Sequence, residues 1–149
     1  MLISIVSPQN DEISISTCNG DVYYIKRVLT EQMDTIKEKM AASSSPSVIP
    51  LVDTDSSTFE LVMKWCALMH NLGSTLMDVE TSRYMFNGFL QAYSVNQNML
   101  LKLTLAGHRL KIRSLLEATT RRLADEIRAC ETTEEVRAHF GIHDAPQDG

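Results

Sequence analysis

Between Ile112 and Ile127 the apolar residues Ile112, Leu115, Leu116, Leu123 and Ile127 recur at three-four spacing, with Thr119 in the same series. The opposite positions are Arg113, Glu117, Arg121 and Asp125. This pattern predicts one long helix, from about Ile112 to Arg128, whose broad apolar stripe must be covered. Only one short helix follows, opened by Thr132-Thr133-Glu134-Glu135, a capping box in which hydroxyl and carboxylate satisfy free backbone donors. Its apolar positions are Val136, Phe140 and Ile142; Gly141 is a natural stop, and a polar tail, 143–149, ends the chain. This carboxy-terminal annex is short of apolar partners, which points to a helix from another protein as its cover.

Upstream the periodicity changes. Ile13-Ser14-Ile15-Ser16-Thr17 and Val22-Tyr23-Tyr24-Ile25 flank Asn19-Gly20, two β-prone runs around a turn that needs positive φ. Leu2 to Val6 reads equally as a further strand or as a loose terminus. Thr30 to Met40 has one apolar stripe at Met33, Ile36 and Met40, which is helix spacing, and Ala41 to Ser47 is a small-residue linker. Val48 to Val52, holding Pro50, reads as a short edge strand. Ser57-Thr58-Phe59-Glu60 has capping-box form and opens a helix through Trp65. A loop over Asn71–Ser82 precedes helical packing around Phe86 and Phe89, then a helix ending near Gly107. Strands mixed with one helix, followed by helices only, give an α/β (α+β) domain with a helical annex.

The 149 residues suit one domain. A net charge of −5 would repel nucleic acid and anionic membranes, so no nucleic-acid partner is expected. No apolar run reaches the roughly 20 residues of a membrane span, and "MLISIVSPQNDE" lacks the features of a secretory signal, so a soluble intracellular protein is expected. Cys18, Cys66 and Cys130 are widely spaced and odd in number, which fits free thiols. Cys66 with His70, and His139 with His143, are the only zinc-like spacings, and core or surface roles are their ordinary reading. No cysteine lies in a setting that would activate it, and no glycine loop could cradle phosphate. Neither enzyme nor cofactor is expected. Arg121-Arg122 reads as solvated helix surface.

Several segments carry a family resemblance. "VIPLVDTDSSTFELVMKWC" resembles the strand and helix of the S-phase kinase-associated protein family, the small adaptor subunit of SCF ubiquitin ligases, with its Val-Pro-Leu-Pro-Asn-Val and Gln-Trp-Cys. "GDVYYIKRVLTEQMDTIK" is similar to the family's hairpin and its Ser-x-Thr-Ile-Lys helix through Gln32, Thr35, Ile36 and Lys37. "LTLAGHRLKIRSLLEATTRRLADEIR" and "TTEEVRAHFGI" look like its later helices. Coverage runs from Ile13 to Ile142, and the helices beyond the core favour this branch over the related Elongin C.

The resemblance implies a BTB/POZ-like core with a small three-stranded sheet over 13–110, preceded by an extension over 1–12 and followed by an F-box-binding annex over 111–142. It implies a non-enzymatic adaptor, cytoplasmic and nuclear, that joins a cullin scaffold to F-box proteins in the ubiquitin pathway. Leu101, Leu105, Leu116, Leu123, Ile127, Val136 and Phe140 are the expected F-box-docking side chains. His108 and Arg109 occupy the family's cullin-contacting Asn-Tyr positions, where arginine loses an aromatic anchor. The alternative is a self-associating module, a homodimer through the BTB face without a cullin. Lys111 stands where the family has a capping aspartate, and with Arg109 and Arg113 it gathers positive charge at a helix start. An acidic partner or lost cullin binding would explain that corner. The family's final helix, bearing another Trp-Cys, has no counterpart before Gly149.

Overall fold

The computed structural model describes residues 3–4, 12–42, 48–73 and 78–141. The expected hairpin forms from β2 (Glu12–Ser16) and β3 (Val22–Lys26), paired antiparallel with Ile15 opposite Tyr23. The linking loop is Cys18-Asn19-Gly20. Gly20 donates to the Thr17 carbonyl at 2.9 Å and alone in this loop takes positive φ, at 91°. Asn19 instead turns its side chain outward, and its Oδ1 accepts from the Ser56 backbone N–H at 2.7 Å.

β4 (Ile49–Pro50) lies parallel to β2 with Ile49 opposite Ile15, and β1 (Ile3–Ser4) pairs antiparallel with β3, giving the order β1-β3-β2-β4. Pro50 is therefore on an edge strand, where its missing N–H breaks no ladder. Ile13, Ile15, Tyr23, Ile25 and Ile49 are buried beneath the helices. The architecture is the mixed α/β one expected.

One helix was expected over Thr30 to Met40. The chain instead makes a 3-10 turn, Arg27–Gln32, then α1, Asp34–Ala42. Met33 between them is extended and fully buried, and the Asp34 N–H faces the Lys111 carbonyl at 3.4 Å. Burial of Met33 and that distant acceptor override the local helical pattern.

Helix α2 (Ser56–Asn71) is capped by Asp55, whose Oδ1 accepts from the Thr58 N–H at 2.8 Å. The cap therefore lies two residues before the expected capping box at Ser57, and the hairpin loop holds the first residue of the helix: Asn19 takes the Ser56 N–H and Asp21 takes the Ser56 hydroxyl. Asp78 similarly caps α3 (Val79–Ala92), which begins inside the loop expected over Asn71–Ser82; residues 74–77 of that loop lie outside the described residues. So do residues 43–47 of the expected linker, 5–11, and the tail 143–149 with Ile142.

Helix α4 (Gln97–Leu110) does not end at Gly107 as expected; it runs through it. A Cβ on Gly107 would lie 3.3 Å from the Leu116 backbone nitrogen and 3.4 Å from Leu115 Cγ, so the hydrogen there is what lets α5 (Arg113–Ala129) approach. The helix stops four residues later. Lys111 takes the left-handed conformation at φ 56°, the Ile112 N–H reaches the Gly107 carbonyl at 2.9 Å and the Lys111 N–H the His108 carbonyl at 3.3 Å. This is a Schellman turn with lysine where glycine is usual. The N-cap of α5 is thus Ile112, fully buried and without a side-chain cap, not Lys111.

The short α6 (Thr133–Phe140) matches its expectation at both ends: Thr132 Oγ1 accepts from the Glu135 N–H at 3.0 Å, Glu135 Oε1 from the Glu131 N–H at 2.7 Å, and Gly141 turns left-handed at φ 68°. At the centre, Trp65 of α2 meets Phe86 and Phe89 of α3 edge-on, each with centroids 5.4 Å away. Its Nε1 donates to Ser114 Oγ of α5 at 3.0 Å, which keeps the buried indole N–H satisfied.

Three expectations follow from this packing. Gly88→Ala, in open space on α3, should gain about 0.5–1 kcal/mol of helix propensity, whereas Gly107→Ala should gain nothing or lose stability; equal gains in urea denaturation would refute the close-approach argument. Lys111→Gly should stabilise by about 0.5–1 kcal/mol, because relief of the left-handed strain exceeds the worth of an exposed Lys111 ion pair. Hydrogen bonds from Thr58, with help from Lys102, hold the Asp55 carboxyl below its ordinary 3.8. A depressed folded value stabilises above the unfolded value and is lost as pH falls through the folded one. Asp55→Asn, which keeps a cap without a charge, should therefore lose less melting temperature than the wild type below about pH 4.

Candidate protein-binding surface

The α4 and α5 helices run antiparallel, closed at one end by the Gly107 contact and at the other by a hydrogen bond between Gln97 and Glu126. The buried part of the α5 stripe is its first half: Ile112, Leu115 and Thr119 are inaccessible, and Leu116 and Leu123 are half-buried. Toward Cys130 the stripe surfaces, with Ile127 47 % exposed. On α6 no residue is buried, and Val136 and Phe140 are half-buried.

On α4, Leu101 and Leu105 are 36 % and 50 % exposed. Together with Arg109 they form a row at four-residue spacing, so the expected F-box and cullin positions share one helix face. His108 is also exposed. Arg109 lies against the loop after β4: its Nη1 donates to the Asp53 carbonyl at 3.3 Å and its Nε is 3.8 Å from the Asp53 carboxylate. Lys102 pairs with Asp55 at 3.2 Å about two turns earlier. Beside them Val52 stands far out of the surface, 77 % exposed.

The cations at the corner after α4 are matched within the chain. Lys111 Nζ is 3.2 Å from Glu38 of α1, and Arg113 Nε is 3.2 Å from Glu117. Their charge needs no acidic partner to balance it. A groove of about 830 Å³ opens between the end of α2 and the start of α5, with Val28, Trp65 and Met69 among its apolar lining and Glu31, Arg113 and Arg121 among its charges.

The polar face of α5 is not simply solvated. Arg83 of α3 forks onto Asp125, Nε to Oδ2 at 2.8 Å and Nη2 to Oδ1 at 3.1 Å, and this hydrogen bonding holds the Asp125 carboxyl below the usual range. Arg121 donates to Ser82 Oγ at 3.1 Å and Arg122 to Asn87 Oδ1 at 2.6 Å. The arginine pair expected on open surface thus clamps α3 onto α5, while Leu101 and Leu105 of α4 and Ile127 of α5 stay exposed.

Sequence reasoning also missed Gln97 and Glu126. Glu126 is held by Arg122 at 2.5 Å, by Gln97, and by His139 of α6, whose Nε2 is 2.8 Å away. Burial works to raise its carboxyl, but these three partners outweigh burial and hold it below the ordinary value. The Arg122–Glu126 spacing of four was the legible part; Gln97 and His139 come from other helices. Of the zinc and thiol candidates, Cys66 is buried, which pushes its thiol up to about 12, while His70 is exposed and His143 lies outside the described residues.

No family model matches the chain. Three proteins of Arabidopsis thaliana are similar along most of its length. SKP1-like protein 11 and SKP1-like protein 12 are each 25 % identical over 130 residues, and SKP1-like protein 4 is 26 % identical over 137; each match spans 87 % of this chain and 83 % of the relative. At 87 % of the chain, the similarity concerns most of the fold and not one motif. These similarities support a divergent relative of the SKP1-like proteins.

Proposed function

We propose that the chain is a non-enzymatic adaptor of an SCF-type cullin-RING ubiquitin ligase, in which the annex receives the helices of an F-box protein. The observation that carries this reading is the half-exposed Ile127 at the end of a stripe that is buried only in its first half, beside an α6 that buries no residue of its own. Leu101 and Leu105 extend the apolar surface along α4. An amphipathic helix laid against this end would cover what the chain leaves bare. The SKP1-like relatives support the adaptor theme.

A second reading keeps the fold but drops the cullin, leaving a scaffold-bound or self-associating module. Arg109 favours it. The family resemblance puts a cullin-contacting aromatic at that position, and here a cation lies against Asp53 in its place. Such an exchange removes a rigid anchor and adds an ion pair that a docking cullin would have to desolvate.

Co-purification separates these readings. The wild type should capture F-box proteins, and Ile127→Glu combined with Phe140→Glu should weaken capture by about tenfold or more, the size of one lost apolar anchor, with the melting temperature little changed. Undiminished capture by the folded double variant would sink the adaptor reading. Replacing His108-Arg109 by Asn-Tyr should raise cullin affinity; a wild type that is a dimer by light scattering and gains cullin binding only on that replacement would favour the second reading, and no change would count against it.

A further inference from the structure

Where α6 folds back on the α4 and α5 pair, three side-chain atoms from three helices meet. Glu126 Oε1 lies 2.8 Å from His139 Nε2, His139 Nε2 lies 2.7 Å from Gln97 Nε2, and Gln97 Nε2 bonds Glu126 Oε1. Such a triangle does not satisfy all three contacts at once. With a proton on His139 Nε2 the ring donates to the carboxylate, and the Gln97 amide nitrogen then abuts another donor. Without that proton the ring accepts from Gln97 but sets its lone pair against the Glu126 oxygen. Turning the Gln97 amide over supplies His139 with an acceptor and presses that oxygen on the carboxylate. In every arrangement one contact is repulsive.

A second observation agrees with this. Gln97 Oε1 is buried with no hydrogen-bond partner among the described residues, so the cluster also leaves an acceptor unsatisfied. A partly satisfied polar network holds two elements together poorly. On its other side Glu126 is fixed firmly, by Arg122 of the same helix, so the conflict falls on α6 and not on α5. Helix α6 itself has independent local order, with its capping box and its left-handed Gly141 stop, but no buried residue to anchor it.

We propose that α6 is a strap on a frustrated latch, swinging as an intact helix away from the α4 and α5 pair while the rest of the domain stays folded, with Gln97 as the residue that keeps the latch weak. The opening lays bare the Ile127 end of α5 without unfolding the core. Elements that open independently are those with few buried apolar groups and a low local opening free energy.

Hydrogen exchange on the full chain tests this and does not depend on any partner. In the wild type, the amides of Val136 to Phe140 should exchange at least about 100-fold faster than those of Leu115 to Thr119 in α5. His139→Ala should speed α6 exchange further with no shift of the main melting transition. Gln97→Met, which removes both the opposing donor and the orphaned acceptor and leaves a clean His139–Glu126 contact, should slow α6 exchange several-fold. Exchange of α6 in step with α5 in the wild type would overturn the strap. Faster α6 exchange in Gln97→Met would overturn the frustrated latch, since it would make Gln97 an ordinary stabilising contact.

Discussion

Two helices come into close approach where Gly107 of α4 faces the Leu116 backbone and the Leu115 side chain of α5, and much of the architecture follows from it. Glycine there lets α5 begin against the side of α4 rather than beyond its end. The chain must then reverse within two residues, which Lys111 does in a left-handed conformation while Ile112 is drawn fully into the core. With its start fixed in this way, α5 presents Ser114 to the Trp65 indole and Leu115 to the core, and its far end reaches Gln97 at the start of α4. The small residue is a packing requirement, and the turn four residues later is its consequence.

A second set of constraints ties the sheet to the helices through polar stitches. The hairpin loop binds the start of α2 three times: the Cys18 N–H to the Thr54 carbonyl at 2.9 Å, Asn19 to the Ser56 N–H, and Asp21 to the Ser56 hydroxyl. These fix the loop after β4, so Asp53 and Asp55 stand where Arg109 and Lys102 of α4 can meet them. Exposed pairs of this kind add little stability. Their effect is on surface character: the face of α4 that the family resemblance assigns to a cullin presents neutralised charge and scattered aliphatic groups, without an aromatic anchor.

What was legible in the sequence was local. The glycine turn of the hairpin, the edge proline, the α2 helix, and the cap and stop of α6 each depend on residues within a few positions of one another, and their chemistry survives packing. What was not legible needed a distant partner. Met33 breaks a helical pattern because its burial and the Lys111 carbonyl decide otherwise. Asp55, not Ser57, caps α2, and the Ser56 N–H beside it is taken by Asn19 of the hairpin loop. Gly107 reads as a stop until α5 is laid against it, and Arg121 and Asp125 read as solvent-facing until α3 supplies Ser82 and Arg83. Among the candidate docking side chains of α5, periodicity found the stripe, but only packing separates the half-buried Leu116 and Leu123 from the more exposed Ile127.

On the adaptor reading, the exposed groups also limit the size of the footprint. Full burial of a large aliphatic side chain is worth about 1.5–3 kcal/mol, so covering what remains bare of Ile127, Val136 and Phe140 would return only about 3 kcal/mol together. Association alone costs about 4–15 kcal/mol in lost freedom, and specific interfaces bury roughly 1,200 Å² or more. The carboxy-terminal end is therefore too small to hold a partner alone. Leu101 and Leu105 lie on the face of α4 between its contact with α5 and its ion pairs with the β4 loop, where a partner seated on Ile127 can continue along the helix pair. An F-box protein bound here would have to span both helices, and each angstrom that α6 swings would change how much of that span it meets.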